Sequence, residues 1–314
     1  MEVALENGEK IFLTYDDSSY DRMKELKVFD DAKAGVKGIA DSRLSKIPRI
    51  FVRPAEELAA EEKLLVVNNG SSELHESTPV IDLQGLEDRR KEIVDEVRYA
   101  AETWGFFQLL NHGIPQTVMD DMEKGFTRFH EQDTEIKKQF YTRDFSKRVK
   151  LNTNFDLFVT NAARWKDTLN CSMLAPDPIN PQELPDACRD EILDYTKHVI
   201  KVGDTLMELL SESLGLNRDH LKNMDCAKFL SVIGHYYPPC PQPELTLGAS
   251  KHSDPTFITV LSKGEVDGLQ IFYQDRWVAI RPLPGALIIN IGDLLQVLDI
   301  FNCHDIYLQV PTYN

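Results

Sequence analysis

Apolar residues recur every three or four positions most clearly between 187 and 214. There Ile192, Tyr195, Val199, Val202, Leu206, Leu209 and Leu210 form one stripe, and Gly215 supplies a stop. This pattern predicts a long helix packed on a core. A second helix is predicted over about 87–103 from Ile93, Val94, Val97, Ala100, Ala101 and Trp104, with Gly105 ending it. Two more helices fit 116–131 and 133–140. A short strand begins at Thr78-Pro79-Val80-Ile81-Asp82-Leu83, and Phe106-Phe107-Gln108-Leu109-Leu110 reads as a buried strand. The latter closes in the turn Asn111-His112-Gly113-Ile114-Pro115.

After Lys228 the pattern changes to short runs. Strands are predicted over 229–237, 257–261, 269–273, 276–280 and 286–291, with Tyr273-Gln274-Asp275-Arg276 as a tight hairpin. Close spacing and Pro/Gly turns suggest a double-sheet β roll. Elsewhere the signal is weak. Residues 1–78 show little periodicity and are expected to wrap a core without making one. The stretch 141–185 reads as irregular, with Trp165 and Cys171 in a polar setting.

Composition narrows the function classes. The chain has 314 residues, 42% hydrophobic and 27% charged, as a folded protein of one large or two ordinary domains would. Its net charge of −16 opposes binding to nucleic acid or anionic lipid and leaves a small molecule or a protein as partner. The five cysteines, at 171, 188, 226, 240 and 303, show no C-x-x-C spacing and no disulfide framework. The charged start MEVALENGEK does not read as a signal peptide, and no apolar run approaches the ~20 residues of a membrane span. A cytoplasmic setting is expected.

Candidate chemistry centres on His252-Ser253-Asp254. Residues i and i+2 of a strand point to one side, so an imidazole and a carboxylate there can grip one metal ion. One more histidine would complete a 2-His-1-carboxylate triad for Fe(II). Alone, such a triplet is as easily an accident in a chain with eight histidines. Two neighbouring segments add to it. Gly234-His235-Tyr236-Tyr237-Pro238-Pro239-Cys240-Pro241 ends a predicted strand with rigid prolines. Asn290-Ile291-Gly292-Asp293-Leu294-Leu295-Gln296 closes another, its Gly and Asp reading as turn residues.

With KIPRIFVRP at 46–54, PVIDL at 79–83, WGFFQLLNHGIP at 104–115, NFDLF at 154–158, RWKDTL at 164–169, YYPPCPQPELTLG at 236–248, KHSDP at 251–255 and PGALIINIGDLLQ at 284–296, the chain resembles the plant 2-oxoglutarate- and Fe(II)-dependent dioxygenases. It is most similar to the 1-aminocyclopropane-1-carboxylate oxidase homologues and nearby alkaloid hydroxylases. The resemblance implies an α+β fold: a double-stranded β-helix (jelly-roll) core with N-terminal helices. It divides the chain into an arm and connector (1–78), an N-terminal dioxygenase region (79–185), a long core helix and linker (186–228), a partial jelly-roll domain (229–296) and a divergent tail (297–314). His252 and Asp254 would be iron ligands, and Tyr237 would sit near a carboxylate of 2-oxoglutarate, with ascorbate as reductant. Many members carry Asn where this chain has His235, for which strand packing is the simpler expectation. The family keeps its NHGIP motif far from the iron site, so His112 would stabilise a turn; it uses the loop around Trp165 near its substrate pocket, so Trp165 would line the pocket or else pack at the surface.

The likeness stops near Gln296. The family continues with a second iron histidine, an Arg-x-Ser strand for the far carboxylate of 2-oxoglutarate, and further strands. No arginine follows Arg281 here, and the tail offers only His304, a few residues short of the family position, where Leu308 stands. The resemblance therefore implies a C-terminally truncated member with an incomplete roll. A complete site would oxidise or hydroxylate a small plant metabolite; this chain is expected to be impaired. The alternative is a non-catalytic truncated isoform acting as an interaction protein, with self-association through exposed sheet edges around 286–291.

Overall fold

The structure, a computed structural model, describes residues 3–4, 10–12, 20–59, 78–174, 177–262, 268–274, 276–297 and 307–312. Strands β1 (Val3–Ala4) and β2 (Lys10–Phe12) pair with each other, and helices α1 (Arg22–Ala32) and α2 (Gly35–Asp41) follow. Next come β3 (Val80–Asp82), α3 (Leu86–Thr103), β4 (Phe106–Leu110), α4 (Gln116–His130), α5 (Thr134–Lys138), β5 (Val149–Asn152), β6 (Asp167–Leu174), α6 (Arg189–Ser213) and α7 (His220–Asn223). The second half holds β7 (Leu230–Tyr236), β8 (Leu247–His252), β9 (Ile258–Leu261), β10 (Gln270–Tyr273), β11 (Arg276–Ala279), β12 (Leu287–Ile291), α8 (Asp293–Val297) and β13 (Tyr307–Pro311).

Two four-stranded sheets, ordered β11-β10-β13-β8 and β3-β4-β12-β9, form the roll. They meet through Phe106 and Ile288 on one side and Ile271 and Leu308 on the other, buried in one cluster with Trp104, Leu269 and Ile280. This is the expected jelly-roll core. A third sheet, β5-β6-β7, is antiparallel throughout. Helix α6 lays its predicted stripe against α3 and α4, and Gly215 ends it at φ +73°, a left-handed position that costs glycine little.

Three expectations need correction. The arm does make a core: Leu26 and Phe29 of α1, Val36 and Ile39 of α2, Ile50 and Phe51 pack with Leu157, Ala163, Trp165 and Cys240. Its helices are too short for a periodic signal, so their apolar residues add up only in three dimensions. Trp165 is fully buried there, edge-on to Phe51 at 5.2 Å and donating from Nε1 to the Pro238 carbonyl at 2.9 Å. It packs inside this core, at the floor of a small cleft shared with Ile39, Leu44 and Pro241, and not at the surface. Finally, the apolar stretch at 286–291 is no edge. Strand β12 pairs with β4 on one side and β9 on the other, and all five of its residues are buried.

The junction between the arm and the third sheet rests on Asp167. Its carboxylate accepts from the Val36 and Lys37 amides at the start of α2, both at 2.8 Å, and from the Thr153 hydroxyl. A Cβ at Gly35 would stand 2.5 Å from Asp167 Oδ1, and φ there is +67°, so only glycine brings α2 this close.

Candidate functional site

His252 ends β8 and Asp254 lies two residues on. The imidazole Nδ1 lies 2.8 Å from the Ser250 carbonyl. A carbonyl only accepts, so Nδ1 carries a proton and Nε2 is the ring atom turned outward to take a ligand. Asp254 uses Oδ2 to accept from the Thr259 hydroxyl at 2.6 Å and the Asn290 amide at 2.9 Å. Its Oδ1 faces His252 Nε2 at 3.7 Å. Two lone pairs thus point into one space. Bonds from a divalent ion to nitrogen and oxygen run about 2.0–2.2 Å, so one ion could touch both. The pair is open, with side-chain exposures of 44% and 19%.

The segment after β12 braces this pair. The Asp293 amide donates to the Asp254 carbonyl at 2.8 Å, and the Ser253 hydroxyl donates to the Asp293 carboxylate at 3.1 Å. A Cβ at Gly292 would collide with the Thr256 carbonyl. Gly292 and Asp293 are therefore structural, as their turn chemistry suggested. Asn290 is the residue that sequence reasoning missed. Its signal was a lone amide inside the apolar run Leu287-Ile288-Ile289-Asn290-Ile291, where it is 2% exposed. Outer hydrogen bonds of this kind fix a ligand's orientation.

The neighbouring strand carries no third donor at this level. Leu308 of β13 is the register partner of His252, and partners in an antiparallel pair project to the same face. Leu308 is 7% exposed and packs with Ile271 in the roll's core. Among the described residues no three His, Cys, Asp or Glu side chains come together as a metal cluster. The donor set therefore fits two of three ligand positions. His304 lies outside the described residues.

A polar wall faces the pair. Alternation along β6 buries Asp167, Leu169, Cys171 and Met173 on one side and leaves Thr168, Asn170 and Ser172 on the other. On β7 and just beyond it, Ile233, His235 and Tyr237 turn to the open side. The Thr168 hydroxyl and His235 Nδ1 are 2.9 Å apart. Tyr237 keeps 39% of its surface, and burial pushes its phenol upward. Burial likewise holds His235 well below the ordinary histidine range, helped by the charge of Lys166. His235 is a lining residue and not a packed one. His112 keeps its turn role: Nε2 lies 2.9 Å from the Gly285 carbonyl and Nδ1 accepts from the Ile114 amide at 3.2 Å. No helix among the described residues is long and apolar enough to cross a membrane.

Comparison with known proteins gives concordant matches. The 2OG-Fe(II) oxygenase superfamily model matches residues 229–300, and the model for the N-terminal region of non-haem dioxygenases in morphine synthesis matches 78–189. The chain is 47% identical to 1-aminocyclopropane-1-carboxylate oxidase homolog 9 of Arabidopsis thaliana, over 88% of this chain and 75% of that protein. It is 48% identical to deacetoxyvindoline 4-hydroxylase of Catharanthus roseus, over 90% of this chain and 69% of that protein. Among solved structures it is similar to JOX2 in complex with 2OG, Fe and JA, at a TM-score of 0.75 and 27% identity over 89% of this chain and 79% of that one.

Proposed function

The chain belongs to the 2OG-Fe(II) oxygenase superfamily, and from that premise we propose that His252 and Asp254 are its metal pair, in a pocket built for oxidising or hydroxylating a small plant metabolite. Bound Fe(II) and 2-oxoglutarate would supply the oxidising chemistry. The chain's own part is to hold and orient: His252 Nε2 and Asp254 Oδ1 toward the ion, Asn290 and Thr259 behind the carboxylate, and the Tyr237 phenol toward a carboxylate of 2-oxoglutarate. Ascorbate as reductant and a cytoplasmic location belong to the same reading. The observation that carries it is the convergence of His252 Nε2 and Asp254 Oδ1 to 3.7 Å.

Leu308 opposite His252 qualifies the activity. A missing donor weakens metal binding, and a loss of about 3 kcal/mol already lowers affinity more than a hundredfold. We infer weak metal binding and little 2-oxoglutarate turnover by this chain. The same observation favours a second reading, a non-catalytic member acting through protein contacts. Strands β7 and β9 each have a neighbour on one side only among the described residues, which supports self-association through those edges.

The test measures Co(II) binding by absorbance, and succinate formed with Fe(II), ascorbate and 2-oxoglutarate. Weak Co(II) binding that His252→Ala abolishes, with no appreciable succinate, is the expected result. No Co(II) binding at all overturns the metal pair, and robust succinate formation overturns the impairment. Turnover abolished by His304→Ala would make His304 the third ligand.

A further inference from the structure

Lys166 is the part of the polar wall that the metal pair leaves unexplained. It stands between Trp165 and Asp167, both buried on the opposite side against the arm. Continuing the register of Asp167 with Tyr236 by one residue sets Lys166 beside Tyr237, on the side of Thr168 and His235. Its charge acts on His235, and that of Asp254 acts on it, so it looks into the same space as His252 and Asp254. Other cations of the neighbourhood are committed. Arg164 grips both oxygens of Asp156 at 2.5 and 2.7 Å and donates to Ser250 at 2.7 Å, while Lys37 pairs with Asp41 and Glu131. The Lys166 ammonium makes no hydrogen bond or ion pair among the described residues. This half-buried ammonium has no acceptor of its own, so an anion that arrives to meet it meets a free donor.

We propose that Lys166, with Thr168 and Tyr237 beside it, forms a carboxylate-binding subsite in the mouth of the roll. A planar carboxylate there would accept from the ammonium and from the two hydroxyls. The inference rests on the mouth being a small-molecule site, as proposed above, but not on a bound metal. Two kinds of ligand share this chemistry: an aliphatic dicarboxylate cosubstrate and a bulkier monocarboxylic substrate.

Titration calorimetry on the full metal-free chain, with 2-oxoglutarate and cyclohexaneacetate as probes, tests it. At least one probe binds; Lys166→Met weakens that probe tenfold or more, and Lys166→Arg keeps most of the affinity. Binding of 2-oxoglutarate alone identifies the cosubstrate as the ligand, and binding of cyclohexaneacetate alone identifies a substrate acid. If Lys166→Met does not fold, wild-type protein with 13C-methylated lysines reads the same contact through a shift of the Lys166 signal on adding the probe. Equal binding by wild type and Lys166→Met, no binding of either probe, or an unmoved Lys166 signal overturns the subsite. None of these outcomes touches the His252–Asp254 reading, which Co(II) binding decides separately.

Discussion

Asp167 and Asp254 sit in two regions of opposite character. Asp167 joins the arm to the third sheet with both oxygens used: two amides and one hydroxyl reach it from α2 and from Thr153, and the carboxyl is sealed from solvent. Asp254, in the roll's mouth, is held from behind on one oxygen only, and the other faces an imidazole across open space. Both accept several hydrogen bonds, so counting bonds would not tell them apart. What separates joint from site is the acceptor left over, together with access to it.

The largest expected effect sharpens that contrast through stability. Asp167→Ala orphans three donors, two of them backbone amides, and each unpaired buried group costs about 1–3 kcal/mol. A loss of about 3–5 kcal/mol is expected in urea unfolding, against about 1 kcal/mol for Asp254→Ala. Equal losses would break the comparison. Next come the bonds behind the site. Asn290→Leu, which keeps the volume but removes the donor to Asp254, should lower Co(II) affinity about 10–100-fold. Adding a donor beside His252 works in the opposite direction. Leu308→His places an imidazole beside His252 on the paired strand and should raise Co(II) affinity at least about tenfold, or about 1.4 kcal/mol. If affinity does not rise, the register partner of His252 is not the third ligand position.

The smallest effect concerns pH. Burial and the Arg164 charge lower Lys166 to about 8, while Asp156 and Asp254 oppose this, and His235 faces it from β7. A lysine holds its charge below its pKa and loses it above. Carboxylate affinity should therefore fall about twofold between pH 7 and pH 8 and more steeply beyond. Calorimetry across that range checks it, and a flat profile would remove the ammonium from the contact.

Much of the scaffold could be read along the chain. The α6 stripe and strands β7 and β9–β12 fall within a residue or two of their expected limits, because each buries one continuous pattern. Strand β6 was passed over although it alternates in burial over eight residues. Its buried positions include Asp167 and Cys171, and a buried carboxylate breaks the apolar period that pattern reading depends on. The partners of Asp167, Val36 and Lys37, lie about 130 residues away, beyond any local signal. In the site, the i, i+2 spacing of His252 and Asp254 was legible. Asn290 was not, because its role depends on β12 lying beside β9, which carries the other donor to Asp254. Strand β13 was missed as well, since its placement is fixed by pairing with β8 and β10 and not by its own composition.

The anchoring of Trp165 and Asp167 has a consequence for how such a pocket can change. Residue 166 is clamped on both sides by neighbours that carry the structural burden, and its own side chain carries none of it. That makes it an interchangeable socket: side chains of other charge or length can be tried at this one position while the joint between the arm and β6 stays fixed. Ligand preference can then drift by single substitutions without passing through an unfolded intermediate.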